Sequence, residues 1–142
     1  MSKVIQPEQM AQSGSEDGEQ LALYCWIALK DLYEGPIKST PYPQLERLFH
    51  IPNGGFRDKR EAAKLRGMGV KRGVPDLCLP VRMGDWSGLY IELKKVKGKD
   101  AREEQSEWGE YLKSQGYGFV VCKGWLEARS MLIQYLSWED HV

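Results

Sequence analysis

Gly73-Val74-Pro75-Asp76-Leu77-Cys78-Leu79-Pro80-Val81 is followed, after a turn at Gly84-Asp85-Trp86-Ser87-Gly88, by Leu89-Tyr90-Ile91-Glu92-Leu93-Lys94-Lys95-Val96. Both runs are apolar and bounded by proline or glycine, which reads as two strands, 74–81 and 89–96, joined by a rather long hairpin loop. Successive side chains of a strand point to opposite faces. Glu92 and Lys94 therefore share one face, and Ile91 and Leu93 share the other. Asp76 stands near the beginning of the first strand, so pairing of the two strands brings its carboxylate close to Glu92.

Working outward, residues 16–33 read as a helix. Leu21, Leu23, Tyr24, Trp26, Ile27 and Leu29 supply a broad apolar face, and Ser15 is placed to cap it. Gly35-Pro36 stops this helix, and Pro41 and Pro43 mark an extended connection. A short strand is expected within 45–51, entering a turn at Pro52-Asn53-Gly54-Gly55, and a strongly basic helix is expected over 58–68. Beyond the two strands, residues 101–115 read as a helix ended by Gly116. Residues 117–122 then form a short apolar strand, and 125–136 a closing helix. The order α-β-α-β-β-α-β-α predicts an α/β fold, with one small mixed sheet and helices on both faces. The polar, Ser- and Gly-containing segment 1–15 reads as a flexible leader, 16–138 as a single domain and 139–142 as a tail.

Composition narrows the class. With 42% hydrophobic and 28% charged residues in 142, the chain can bury a core and is not a disordered tail. No apolar run approaches the ~20 residues that cross a bilayer, and the N-terminus lacks the basic-then-apolar pattern of a secretory signal. A cytoplasmic location is the expectation. Cys25, Cys78 and Cys122 are scattered in apolar runs without C-x-x-C spacing, which supports reduced core cysteines and neither a zinc site nor a disulfide framework.

The formal net charge is zero, which argues against a basic coat protein for nucleic acid. Its distribution is uneven, however. Arg57, Lys59, Arg60, Lys64, Arg66, Lys71 and Arg72 face only Asp58 and Glu61, and Lys94, Lys95, Lys97, Lys99 and Arg102 follow. Positive charge gathered in the middle of a neutral chain can present a phosphate-binding face. Gly67 to Gly73 contains closely spaced glycines but precedes a strand instead of leading from one into a helix. With no Walker A sequence either, no nucleotide cofactor is expected.

Two carboxylates converging beside an ammonium repel each other unless a cation lies between them. Hard oxygen ligands of this kind suit Mg²⁺ or Mn²⁺. An ion so held polarises a phosphoryl oxygen and acidifies a water, and Lys94 could position that water or stabilise charge on the phosphate.

The pattern Pro75-Asp76 … Glu92-Leu93-Lys94 resembles the PD-(D/E)xK motif of a nuclease superfamily with a restriction-endonuclease-like core. His50-Ile51-Pro52-Asn53-Gly54-Gly55, Arg57, Lys59-Arg60 and Gly69 to Asp76 narrow the resemblance to the virus-type replication-repair nuclease (VRR-NUC) domain. Glu104-Gln105, Trp108, Gly116-Tyr117 and Val121-Cys122 continue it downstream, so that it spans nearly the whole chain as a stand-alone domain.

The resemblance implies a metal-dependent DNA endonuclease. Asp76, Glu92 and the main-chain carbonyl of Leu93 would ligate the ion, and Lys94 would orient or activate the attacking water. An acidic residue of the first helix would approach the ion: Glu19, or Glu16 one turn earlier. The rival for both is a first-turn charge that satisfies the helix dipole. Gln105 matches a glutamine that supports the site. The resemblance further implies a homodimer acting on four-way (Holliday) junctions, with a less selective nicking or flap endonuclease, or a non-catalytic DNA-binding module, as alternatives.

The backbone of DNA would meet Asn53, Gly54, Gly55, Arg57, Lys59, Arg60, Lys64, Lys71, Arg72 and Lys95. The glycines of the turn permit close approach of main-chain amides to phosphate. His50 reads as structural or as a phosphate contact. Trp86, at a loop tip, could stack on an unpaired base or be partly buried against the sheet.

Overall fold

The alternation of Leu77, Leu79, Leu89, Ile91 and Leu93 decides where the core lies. All five are at most 2% exposed. The computed structural model describes residues 6–34, 42–52, 58–98 and 103–138. In it β1 (Phe49–His50), β2 (Leu77–Leu79), β3 (Leu89–Lys94) and β4 (Gly118–Lys123) form one sheet in the order β1-β2-β3-β4. β1 with β2 and β2 with β3 are antiparallel, whereas β3 and β4 are parallel. A parallel pair needs a crossover, and the helix between these two strands supplies it.

The described residues hold five α-helices, α1 (Pro7–Met10), α2 (Glu16–Glu34), α3 (Lys59–Gly67), α4 (Glu103–Ser114) and α5 (Trp125–Leu136), of which α2, α4 and α5 pack on the sheet. The leucine-rich face of β2 and β3 packs with Ala22, Leu23 and Ile27 of α2 and with Ala128 and Leu132 of α5. The parallel register sets Ile91 beside Val120 and Leu93 beside Cys122, so the even-numbered residues of β4 join the same core. Tyr90, Glu92 and Lys94 consequently point to the other face, with Phe119, Val121 and Lys123 next to them. That face is covered by α4. A Cβ on Gly109 would overlap the Phe119 ring, so the missing side chain lets helix and strand approach.

The mixed α/β fold and its element order are as the sequence predicts, with differences at the edges. Of the expected leader, Pro7–Met10 is helical and Ala11–Ser13 forms a 3-10 turn, and Met10 and Ala11 pack against the core. Ser15 caps α2 as expected, its Oγ accepting the Gly18 N–H at 3.0 Å. The short strand expected within 45–51 is Phe49–His50, and before it Pro43 opens a 3-10 turn, Pro43–Arg47, that carries Leu45 into the core. The strand expected over 74–81 is only Leu77–Leu79. Pro75 has no N–H to give a ladder, and Gly73 turns the chain at φ +86°.

α3 begins where Asp58 Oδ1 accepts the Arg60 N–H at 2.9 Å, and none of its residues is buried. No helix among the described residues is long and apolar enough to cross a membrane.

Candidate active site

The antiparallel register pairs Leu77 with Ile91 and, continued by one step, sets Asp76 opposite Glu92. Directly opposed residues project to the same face, so both carboxylates lie on the α4 side at one end of the sheet. Asp76 Oδ2 accepts the main-chain N–H of Leu93 at 2.8 Å. The ladder between β2 and β3 stops at Leu77, and this side chain takes the bond the next ladder position would have made. The N–H and C=O of one strand residue point to the same neighbour. The Leu93 carbonyl is therefore directed to the Asp76 edge, while the Lys94 carbonyl turns the other way and accepts the Gly124 N–H at 2.8 Å. The Asp76 carbonyl is itself held by the Ile51 N–H at 2.7 Å and by His50 Nδ1 at 3.0 Å.

Glu92 is 2% exposed. Its Oε1 accepts from Gln105 Nε2 at 2.7 Å and lies 3.6 Å from Lys94 Nζ. Its Oε2 is buried without a hydrogen-bond partner. Burial, and then the neighbouring Asp76 carboxylate, push the Glu92 carboxyl up to about 8, against the pull of Lys94. A buried carboxylate oxygen with no donor is costly, and native structures seldom tolerate one without a reason. A divalent cation held by Glu92 and Asp76 would remove both the orphaned oxygen and the like-charge contact. The donor set is all oxygen, which suits a hard ion such as Mg²⁺ or Mn²⁺.

Glu19 lies at the β4–α5 corner. It is 3% exposed, and its Oε2 accepts the Trp125 N–H at 3.3 Å. It thus serves the N-terminus of α5. Glu16 is exposed. Among the described residues, no three His, Cys, Asp or Glu side chains are grouped to hold an ion, so neither glutamate joins Asp76 and Glu92 in one cluster.

A sequence model of the VRR-NUC domain matches residues 15–125. The chain belongs to the VRR-NUC family. It is similar to a solved structure described as a VRR_NUC domain protein, with 33% identity and a TM-score of 0.69 over 89% of this chain and 91% of that chain. No curated protein matches it.

Asp76, Glu92, Lys94, the Leu93 carbonyl and Gln105 thus come together at one end of the sheet. Among the described residues, the cations expected at the DNA lie on α3 and in the connections. Lys59, Arg60 and Lys64 are exposed on α3, and Lys71, Arg72 and Lys95 are exposed in the connections. Asn53, Gly54, Gly55 and Arg57 lie outside the described residues. Trp86 sits in a turn closed by paired main-chain bonds with Met83, both 3.0 Å. That turn joins β2 to β3 at the end opposite Asp76 and Lys94, and Trp86 is 38% exposed there.

Two residues near the site are not singled out by the sequence. Lys123 is the register partner of Lys94. Gly124, at φ +92°, turns the chain into α5, where a Cβ would lie 2.8 Å from Val96 Cγ2 and 3.5 Å from Glu19 Oε1. The single glycine in Cys122-Lys123-Gly124-Trp125 is a signal for the second. The first depends on the β3–β4 register, which no local pattern gives.

Proposed function

We propose that this nuclease-family domain hydrolyses phosphodiester bonds of DNA with Mg²⁺ or Mn²⁺. The observation that carries this reading is the buried, partnerless Glu92 Oε2 beside the Asp76 carboxylate, with Lys94 at the rim.

Asp76, Glu92 and the Leu93 carbonyl would hold the ion, which when bound supplies a Lewis acid for the phosphoryl oxygen and a more acidic water. Gln105 fixes the rotamer of Glu92 by donating to Oε1, leaving Oε2 for the ion. The Leu93 N–H fixes Asp76 in the same way. Holding both ligands before substrate arrives lowers the reorganisation needed in the reaction. Lys94, on the same face two residues after Glu92, orients the attacking water and stabilises charge developing on the phosphate. Glu19 contributes from a distance, by holding the β4–α5 corner next to Lys94. The exposed cations of α3, with Lys71, Arg72 and Lys95, bind the backbone on either side. The products carry 5′-phosphate and 3′-hydroxyl ends.

The substrate we assign is the four-way junction, cut by a homodimer whose two sites are related by a two-fold axis. That arrangement suits paired incisions in strands of like polarity. It rests on family analogy. The test is cleavage of labelled junction, flap, nicked and linear duplex DNA, with the solution mass measured by light scattering. Symmetric paired cuts in the junction by a dimer are the expected result. Preferred cutting of flap or nicked DNA by a monomer would replace the junction with a less selective substrate. Binding without cutting of any DNA would leave a non-catalytic module.

A further inference from the structure

We infer that His50 is a positioning residue for the metal site: its ring, bonded to the main-chain carbonyl of Asp76, keeps the Asp76 carboxylate where it can share one divalent ion with Glu92. This rests on the metal-dependent reading of Asp76 and Glu92, and adds to it a residue that does not itself meet the ion.

β1 and β2 are only two and three residues long. Just beyond their paired residues, the Ile51 N–H donates to the Asp76 carbonyl at 2.7 Å. Pro52 and Pro75, the next residues outward on the two strands, have no N–H to give the opposite strand. Asp76 therefore stands near the open end of a very short pairing, where main-chain bonds fray first. The same carbonyl takes a second bond, from His50 Nδ1 at 3.0 Å. A carbonyl only accepts, so Nδ1 carries the proton, as it does in one neutral tautomer and in the imidazolium alike. Asp76 is thus held from two sides, its carbonyl by Ile51 and His50 and its carboxylate by the Leu93 N–H at 2.8 Å.

The register fixes how His50 acts. Its partner is Leu77, which is fully buried in the core that α2 and α5 complete. Opposed residues project to the same face, so His50 reaches the carbonyl from the core side. The Asp76 carboxylate leaves on the other side, with Glu92. The ring has a bond to the main chain of a metal ligand but no place among the ligands. His50 is also exposed, so replacing it opens no cavity. What its loss changes is the freedom of one ligand, and such sites need their groups held within about 0.5 Å.

The experiment measures Mn²⁺ binding to the full chain by calorimetry, without DNA, for the wild type, His50→Ala, His50→Asn and His50→Gln. Each is also melted in EDTA, and binding is measured well below every melting temperature. The amide nitrogen of Asn, like Nδ1, is attached to Cγ, whereas that of Gln stands one atom farther out, like Nε2. His50→Ala should weaken Mn²⁺ binding by about tenfold, the scale for groups that orient a metal ligand. Its melting temperature in EDTA should change by no more than about 2 °C. His50→Asn should restore most of the affinity and His50→Gln should not. Unchanged affinity in His50→Ala, with the wild type binding Mn²⁺, overturns the assignment. An Asn variant no better than the Ala or Gln variant, or losses that follow a fall in melting temperature, make His50 merely structural and overturn it too. A wild type that binds no Mn²⁺ is a different outcome, and it removes the metal-dependent reading itself.

Discussion

The Glu19 carboxylate accepts the main-chain N–H of Trp125 at 3.3 Å, tying the first turn of α2 to the first residue of α5. Helix starts leave N–H groups unsatisfied, and the N-cap position of α5 is Gly124, whose side chain can offer nothing. Glu19→Ala should therefore cost about 1 kcal/mol of stability, the usual effect of losing a cap. Glu19→Gln keeps an oxygen acceptor and should cost less. Urea denaturation of metal-free protein measures both. Equal losses in the two variants would mean that the charge itself, and not the hydrogen bond, holds the corner.

The Glu92 carboxyl, raised to about 8 by burial and by Asp76, makes stability depend on pH. A folded-state value above that of the unfolded chain means the protonated form is favoured by folding. The contribution is complete below the unfolded value, near 4.5, and is lost as pH rises through about 8. Metal-free protein in EDTA should melt at progressively lower temperature between these limits. Glu92→Gln should flatten that dependence, and added Mn²⁺ should restore the melting temperature of the wild type at high pH. A wild-type profile rising toward pH 8 would contradict the burial of Glu92 as a strained acid.

Gln105 spends its Nε2 on Glu92 Oε1 at 2.7 Å, in a buried setting. Gln105→Leu keeps similar bulk but removes the donor. The metal concentration for half-maximal cleavage should rise by roughly tenfold or more, the usual scale for a partner that orients a metal ligand. A metal titration of cleavage, together with calorimetric Mn²⁺ binding, checks this. An unchanged midpoint with a lower maximal rate would instead place Gln105 on the substrate.

Gly124 sits at φ +92°, ψ +160°, a backbone region almost closed to other residues, with Val96 Cγ2 2.8 Å from the position of an added Cβ. Gly124→Ala should lose about 1–3 kcal/mol from backbone strain alone, with the methyl contact adding to it. Thermal unfolding gives the value, and a loss below a few tenths of a kcal/mol would show that the corner relaxes.

Much of this was legible because strong local rules coincided. The closing helix Trp125–Leu136 matches the sequence reading to the residue. There, glycine before it and an apolar repeat within it point the same way. Asp76 opposite Glu92 follows from strand period alone once two strands pair. The strand expected over 74–81 proved shorter where a proline intervened, as Pro75 shows. What local patterns could not give were contacts set by tertiary geometry. Glu19 reaches a helix start 106 residues away, and Lys123 is brought beside Lys94 by a parallel register fixed by the α4 crossover. Trp86 carries a related lesson: a loop tip conspicuous in sequence lies at the end of the hairpin away from the carboxylates.

That Asp76 and Glu92 together hold the ion needed for cleavage is what we propose. The most direct test is cleavage of a labelled four-way junction in Mn²⁺, with and without EDTA, by the wild type, Asp76→Asn and Glu92→Gln, with Mn²⁺ binding to each measured by calorimetry. Cutting by the wild type alone, abolished by EDTA, with Mn²⁺ binding lost in both variants, is the result expected. Cutting that survives EDTA, or Mn²⁺ binding that survives both substitutions, would contradict it.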